Sequence, residues 1–306
     1  MMKNDKNGKK EVLMVNGIIV IDKPKGYTSH DVVAKVKRIL QVHKIGHTGT
    51  LDPNATGVLP LLLDNATKVS KYLIEHDKTY EVVLQLGIRT DTLDGEGNIL
   101  EQQIVDWNNY SEGEIEVVLK SFLGTRKQIP PMYSAIKVKG KKLYEYARKG
   151  QNVEIPAREI TIYDMDLIKV DAIEKQITFQ VACSKGTYIR SLCEEIAKQL
   201  NTIGYMRELR RTKVGNFSLE NAITLEELEQ QAEDSLWIKK KILTVEQVLK
   251  DYSTIQLEEK RMHHFLNGVK ISVSQPDGVY HIKDKKGNYI GLGIVENKKL
   301  KRDVIL

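Results

Sequence analysis

The segment Gly46-His47-Thr48-Gly49-Thr50-Leu51-Asp52-Pro53-Asn54-Ala55-Thr56-Gly57-Val58-Leu59 sets one carboxylate among glycines, small hydroxyl side chains and a proline. Glycine lets a backbone approach a ligand closely, and Pro53 restricts the residue before it. Such a loop can aim Asp52 rigidly into a pocket, as a nucleophile or base. The same Asp-Pro pair also suits a helix start, with Asp52 as N-cap and Pro53 in the first helical position. Four other segments hold groups that a reactive aspartate would need. Lys78-Thr79-Tyr80 puts a tyrosine at the start of a strand pattern. Lys185-Gly186-Thr187-Tyr188-Ile189-Arg190 puts Tyr188 and Arg190 two residues apart where a helix begins. Leu209-Arg210-Arg211 reads as a compact basic turn, and Gln128-Ile129-Pro130-Pro131-Met132-Tyr133-Ser134-Ala135 opens a basic stretch. One carboxylate, an arginine able to pair with it, two aromatic faces and a cationic approach could hold an extruded base. Taken singly, Tyr80 and Leu209 also fit a core, and Tyr188 with Arg190 fits a surface pair.

The charge distribution supports a polyanionic partner. The chain of 306 residues carries a formal +6. Between Arg126 and Gly150, eight basic residues face one acid, Glu145, so this segment alone carries +7 and the remainder −1. Tyr133, Tyr144 and Tyr146 are interleaved with those cations. Basic side chains mixed with aromatics suit a nucleic-acid surface, and equally a solvated lysine-rich loop. With 41% hydrophobic and 29% charged residues, the composition is that of a soluble globular protein. The longest apolar run, Gly57–Leu63, is too short to span a bilayer. The polar start MMKNDKNGKK argues against a signal peptide. Two cysteines without metal-type spacing fit a reduced, cytoplasmic setting.

The elements that must position these groups are legible in outline. Gly17–Asp22 reads as a buried strand ending in the turn Lys23-Pro24-Lys25-Gly26. Thr28 and Asp31 have capping-box spacing before a helical pattern of Val32, Val33, Val36, Ile39 and Leu40. A short helix is expected over 66–74. Alternation from Tyr80 to Ile88 predicts a half-buried strand. Asp91–Gly97 is a polar turn, since Leu93 stands where a calcium loop needs an oxygen. Ser111 caps a helix to about Phe122, strands follow over 160–170 and 176–183, and a helix over 188–200. Shorter helices are expected at 225–231 and 245–249. From about Ile255 a short helix and glycine-punctuated strands predict a separate β-rich unit. This pattern, without regular βαβ alternation, predicts an α+β fold.

Taken together, these segments strongly resemble the bacterial tRNA pseudouridine synthases of the TruB family, which act on a uridine of the T-loop. The resemblance runs from about Gly17 to Phe217 and continues more weakly to the C-terminus. It rests on GHTGTLDPNATGVL and on DKPKGYTSHDVV, KTYEV, PPMYSAIKVKGKKLYEYARKG, CSKGTYIRSL and LRR, in the family's order. It implies a mainly antiparallel mixed sheet flanked by helices in residues 1–250, and a small PUA-like RNA-binding domain in 251–306. It implies Asp52 as the nucleophile or base, Tyr80 as the stacking tyrosine and Tyr188 as a second pocket tyrosine. Arg190 would pair with the aspartate, Leu209 would contact the base, and His47 would help to flip and replace it. Lys137, Lys139, Lys141, Lys142, Arg148, Arg210 and Arg211 are the expected contacts to the RNA backbone. The implied reaction turns uridine 55 of tRNA into pseudouridine with no cofactor, no metal, no membrane and no protein partner, on a monomer that binds the T-stem-loop. Rival readings are a non-catalytic RNA-binding protein and a carboxylate-based nucleoside or glycoside hydrolase. The latter commonly needs a second carboxylate across the scissile bond. A partner-dependent, RNA-guided synthase is a third.

Overall fold

Strand β1 (Gly17–Lys23) buries nearly every residue, because Ile19 and Ile21 face one hydrophobic cluster while Ile18 and Val20 face another. This is the period-two rule applied to a strand covered on both sides. The computed structural model describes residues 16–151 and 153–306, so the polar N-terminal stretch lies outside the described residues. Helix α1 (Ser29–Leu40) follows, with both halves of the Thr28–Asp31 capping box formed and Val32, Val36 and Leu40 turned inward. Strands β2 (Ile45–His47) and β3 (Thr56–Leu63) flank the Asp52 loop, and Gly57 to Leu63 are all buried.

A 3-10 turn (Asp64–Val69) and helix α2 (Ser70–Leu73) together occupy the predicted 66–74 helix. Strand β4 (Lys78–Leu86) leads into a hairpin of β5 (Ile88–Thr90) and β6 (Ile99–Gln102). Helix α3 (Glu112–Lys120) carries the expected Ser111 cap. Strand β7 (Gly124–Gln128) opens the basic stretch. That stretch folds as a small hairpin, β8 (Lys137–Val138) with β9 (Lys141–Lys142), and helix α4 (Leu143–Ala147). Strands β10 (Arg158–Asp171) and β11 (Gln176–Cys183), helix α5 (Ile189–Gln199), and strands β12 (Gly204–Val214) and β13 (Phe217–Ser218) complete the sheet. Its order is β1-β3-β12-β4-β11-β10-β7, antiparallel except where β12 runs parallel to β3. Helices α6 (Leu225–Gln230), α7 (Ser235–Lys241) and α8 (Val245–Val248) follow, α7 being unforeseen.

The last unit is a five-stranded sheet. Strand β14 (Thr254–Leu257) precedes helix α9 (Glu259–Leu266), so this unit begins with a strand rather than the expected helix. Strands β15 (Ile271–Ser272), β16 (Gly278–Asp284), β17 (Tyr289–Glu296) and β18 (Lys299–Ile305) complete the order β14-β16-β17-β18-β15. It has its own core around Phe265, Ile282 and Leu300. Leu292 and Val304 join the cluster of Val20 and Val245, and Lys71 and Tyr72 both reach Asp303 at 2.6 Å. The architecture is the α+β class read from the sequence, with a mixed, mainly antiparallel sheet and a C-terminal β unit.

Two local expectations are corrected. Asp52-Pro53-Asn54 is a turn closed by Ala55 N–H donating to the Asp52 carbonyl at 3.1 Å, and it leads into β3 rather than a helix. The buried run Gly57–Leu63 needs two covered faces, which a strand between two clusters supplies. Leu209-Arg210-Arg211 lies within β12, paired to Val82, Glu81 and Tyr80 of β4, and is not a turn. Its partners on either side convert a basic triplet into a central strand.

Candidate active site

The Asp52 turn is held on both flanks by buried groups from the β1–α1 corner. Ser29, in the first turn of α1, accepts the Leu51 N–H at 2.9 Å and donates to the Leu51 carbonyl at 3.2 Å. Lys23 is fully buried, and its ammonium donates to the carbonyls of Pro53 at 2.9 Å and Pro24 at 3.0 Å. Gly26 N–H reaches the same Pro53 carbonyl at 3.0 Å. Burial pulls the Lys23 pKa down to about 8, against the attraction of Asp52. Beyond the turn, Gly57 has φ 104°, and a Cβ there would collide with the Arg211 carbonyl, so the parallel β3–β12 approach requires glycine.

Asp52 and Arg190 meet in this site. The Asp52 side chain is 47% exposed and its Oδ2 lies 3.5 Å from Arg190 Nη2. The guanidinium also faces Asp94 Oδ2 at 3.3 Å and donates to the carbonyls of Thr92 at 3.3 Å and Tyr133 at 3.0 Å. Asp94 is only 15% exposed and accepts Thr92 Oγ1 at 2.5 Å. The guanidinium is thus fixed from behind by Asp94 and presents one edge to Asp52. Planar, multidentate pairing of this kind is a property of arginine rather than lysine.

Around the pair lies a pocket of about 510 Å³, lined among others by Tyr80, Tyr133, Tyr144, Tyr188, Met206 and Leu209. Its size and mixed lining are those of a small-molecule or base site. Tyr80 stands on β4 opposite Arg211 of β12 and is 9% exposed. Burial pushes its hydroxyl pKa up, and the neighbouring Arg211 charge opposes that. Leu209 and Met206 reach the pocket from β12, and Tyr188 from the N-cap of α5. The tyrosine and the arginine of Lys185–Arg190 therefore sit on one helix start, as their spacing predicted.

His47 lies on β2, outside the lining of this pocket. It packs edge-on against His30 with ring centroids 5.9 Å apart. Burial, then His30, then Arg211 lower its pKa. Lys137, Lys139 and Lys141 are solvent-facing and in no ion pair among the described residues. Lys142 and Arg148 lie over the Tyr144 ring at 5.3 and 5.4 Å from its centroid. Arg211 is corrected as an RNA-backbone contact: it is 2% exposed, donating to the carbonyls of Val58 at 2.8 Å and Gly49 at 3.1 Å. A guanidinium beneath the sheet surface cannot meet a phosphate. Arg210 is partly exposed but tied to Asp22 at 2.6 Å.

Sequence reasoning missed Lys23, Asp94, Gln128 and Tyr144. Asp94 lies in the acidic turn 91–97, which carries three acids, and only the fold selects the one facing Arg190. Lys23 opens the turn motif Lys23-Pro24-Lys25-Gly26, and a lysine directly after a buried strand pattern is the signal that marks it. Tyr144 belongs by sequence to the basic stretch, yet it lines the pocket.

Known proteins match this chain over most of its length. The model of the TruB family pseudouridylate synthase N-terminal domain matches residues 37–189, and that of the tRNA pseudouridylate synthase B C-terminal domain matches 190–250. The tRNA pseudouridine synthase B of Caldanaerobacter subterraneus subsp. tengcongensis is 42% identical over 291 residues, covering 94% of this chain and 98% of that protein. The tRNA pseudouridine synthase B of Clostridium tetani is 45% identical over 257 residues, covering 84% of this chain and 86% of that one. Among solved structures, a chain of the archaeal box H/ACA sRNP Nop10-Cbf5 complex superposes with a TM-score of 0.69 at 26% identity, over 96% of this chain and 86% of that one. The chain belongs to the TruB family of tRNA pseudouridine synthases, isomerases that convert a uridine of tRNA to pseudouridine.

Proposed function

We propose that the uridine is uridine 55 of the T-loop and that Asp52 is the reacting carboxylate. The observation that carries this reading is the half-exposed Asp52 carboxylate, 3.5 Å from the Arg190 guanidinium, at the wall of a pocket with aromatic and apolar sides. The isomerisation breaks the C1′–N1 glycosidic bond, turns the uracil and joins C1′ to C5; the proton leaving C5 is balanced by one gained at N1. Asp52 acts as nucleophile or as base toward the ribose in the first step. Tyr80 stacks on the uracil, while Leu209 and Tyr188 close the remaining walls and keep the detached base from escaping. Base–aromatic stacking contributes about 1–3 kcal/mol per base. Extrusion of the base costs about a few kcal/mol. Stacking therefore roughly offsets flipping, and net affinity has to come from elsewhere on the RNA. The exposed cations Lys137, Lys139, Lys141 and Arg148, with the half-buried Lys142, supply it at the phosphates. His47, beside the pocket rather than in it, occupies the space that the uridine leaves.

The unit 251–306 acts as a PUA-like RNA-binding domain on the same substrate. The enzyme works as a monomer in the cytoplasm, without a protein partner. Asp52→Asn keeps the shape and removes the charge. We expect it to abolish pseudouridine formation on a T-stem-loop transcript, read by mass mapping, while tRNA affinity stays within about twofold. Substantial product from that variant would falsify the assignment of Asp52. Activity of the isolated, full chain tests the monomer reading, and a requirement for added protein would end it.

A further inference from the structure

Two buried polar side chains hold backbone on either side of the reacting pair, and both do so in the same way. Ser29 is 1% exposed and satisfies both the N–H and the C=O of Leu51, the residue directly before Asp52. Gln128, at the end of β7, is 2% exposed. Its amide Nε2 donates to the Tyr188 carbonyl at 3.1 Å, and its Oε1 accepts the Tyr188 N–H at 2.8 Å. Tyr188 stands two residues before Arg190 and is the N-cap of α5, with no capping bond from its own side chain. The amide gives Tyr188 the donor and acceptor that an adjacent strand would give. Two more bonds bind the same helix start to the chain after Gln128. Ser191 Oγ donates to the Ile129 carbonyl at 3.0 Å, and Arg190 Nη2 to the Tyr133 carbonyl at 3.0 Å.

Neither side chain lines the pocket. Each is far in sequence from what it holds, 22 residues for Ser29 and 60 for Gln128. Losing Ser29 leaves the buried N–H and C=O of Leu51 without partners. Losing Gln128 leaves the Tyr188 N–H without one, while its C=O keeps the Leu192 N–H at 3.1 Å. In both cases the local backbone must move to satisfy the orphaned groups. Such movement matters because Asp52 and Arg190 stand 3.5 Å apart, at the edge of direct charge contact. A misplacement of about 1 Å at a reacting group can cost about a hundredfold in rate.

We propose that Ser29 and Gln128 are positioning residues for the Asp52–Arg190 pair. Each fixes the backbone beside one member, and together they set the separation of carboxylate and guanidinium. This rests on Asp52 being the reacting carboxylate.

The test uses the full-length protein with tRNA under single-turnover conditions, reading rate constant and amplitude separately. Binding affinity and thermal unfolding are followed in parallel. Ser29→Ala and Gln128→Leu should each lower the rate constant about tenfold or more. Amplitude should hold, and the tRNA Kd should stay within about twofold, because neither residue meets the RNA. A defect of folding alone would instead lower the amplitude and leave the rate constant of the remaining enzyme intact. That result would overturn the proposal, as would wild-type rate constants in folded variants. If Gln128→Leu does not fold, Gln128→Asn decides. It keeps the neutral amide on a stem one methylene shorter that cannot reach both groups of Tyr188, so a smaller fall of roughly threefold to tenfold is expected, and a wild-type rate constant overturns the proposal. The Ser29→Ala, Gln128→Leu double variant should lose less than the product of the single losses, since both act through one separation. A full product would refute that shared route. Asp52→Asn in the same assay separates the two readings. Its activity would remove the premise, whereas inactive Asp52→Asn beside unaffected Ser29 and Gln128 variants would remove only the positioning role.

Discussion

The arginine in the pocket wall and the buried arginine opposite Tyr80 both have oxygen atoms to hold. Arg190 meets Asp52, Asp94 and two carbonyls, and Arg211 meets the carbonyls of Val58 and Gly49. The hairpin and helix over 137–148 differ. Among the described residues, Lys137, Lys139 and Lys141 have no ion-pair partner, and Lys142 and Arg148 rest on the face of Tyr144. Burial accounts for the contrast. A charge withdrawn from water must be paired or hydrogen-bonded to persist, whereas one in water need not be. Arg190 and Arg211 are therefore committed to geometry, and the cations over 137–148 remain available to an incoming polyanion. Tyr144 links the two regions, because the side chain under Lys142 and Arg148 also lines the pocket.

That contrast can be broken at the pocket first. Arg190→Lys keeps the charge but cannot span Asp52, Asp94, Thr92 and Tyr133 together. We expect its single-turnover rate constant to fall about a hundredfold or more with tRNA affinity little changed. A variant with near-normal rate would mean that charge alone, not the fork, matters there. Next comes the basic stretch. Replacing Lys139, Lys141 and Lys142 together with alanine should weaken tRNA binding and reduce the slope of log affinity against log salt by about 2–3. The rate constant at saturating enzyme should be nearly unaffected. An unaltered slope would take these lysines off the RNA.

Arg211→Gln sharpens the comparison from the other side. It should lower the unfolding temperature by leaving the carbonyls of Val58 and Gly49 short of donors, yet leave the salt slope untouched. A flatter slope would return Arg211 to the RNA surface. The smallest expected effect concerns Lys23. Its pKa is about 8 in the folded chain, below the ordinary 10.5. Between those values the unfolded chain binds more protons than the folded one, so the stability contributed through Lys23 rises with pH across that window. The melting temperature of wild type relative to Lys23→Met should therefore climb from pH 8 to pH 10. A level or falling difference would show that Lys23 keeps an ordinary proton affinity in the fold.

Elements with local signals were legible. The Thr28–Asp31 capping box and the Ser111 cap formed where the sequence put them, and the 176–183 strand appeared with those bounds. Such elements carry their cause within a few residues. Leu209-Arg210-Arg211 does not: β4 on one side and β3 on the other make it a strand, and those partners lie more than a hundred residues away. The Asp-Pro pair was ambiguous for the same reason. Helix cap and strand-leading turn share their local chemistry, and the clusters on both faces of β3 decided between them.

The sequence by itself determined which groups are present and which family they belong to, because residue types and motif order are covalent facts. It also determined that Tyr188 and Arg190 share a helix start, since two residues cannot stray far apart. Only the tertiary structure decided that Asp94 braces Arg190, that Gln128 and Ser29 grip the flanks of the pair, and that Arg211 is interior. Each of these is a contact between distant segments or a matter of burial, and both depend on how the sheet closes rather than on any local pattern.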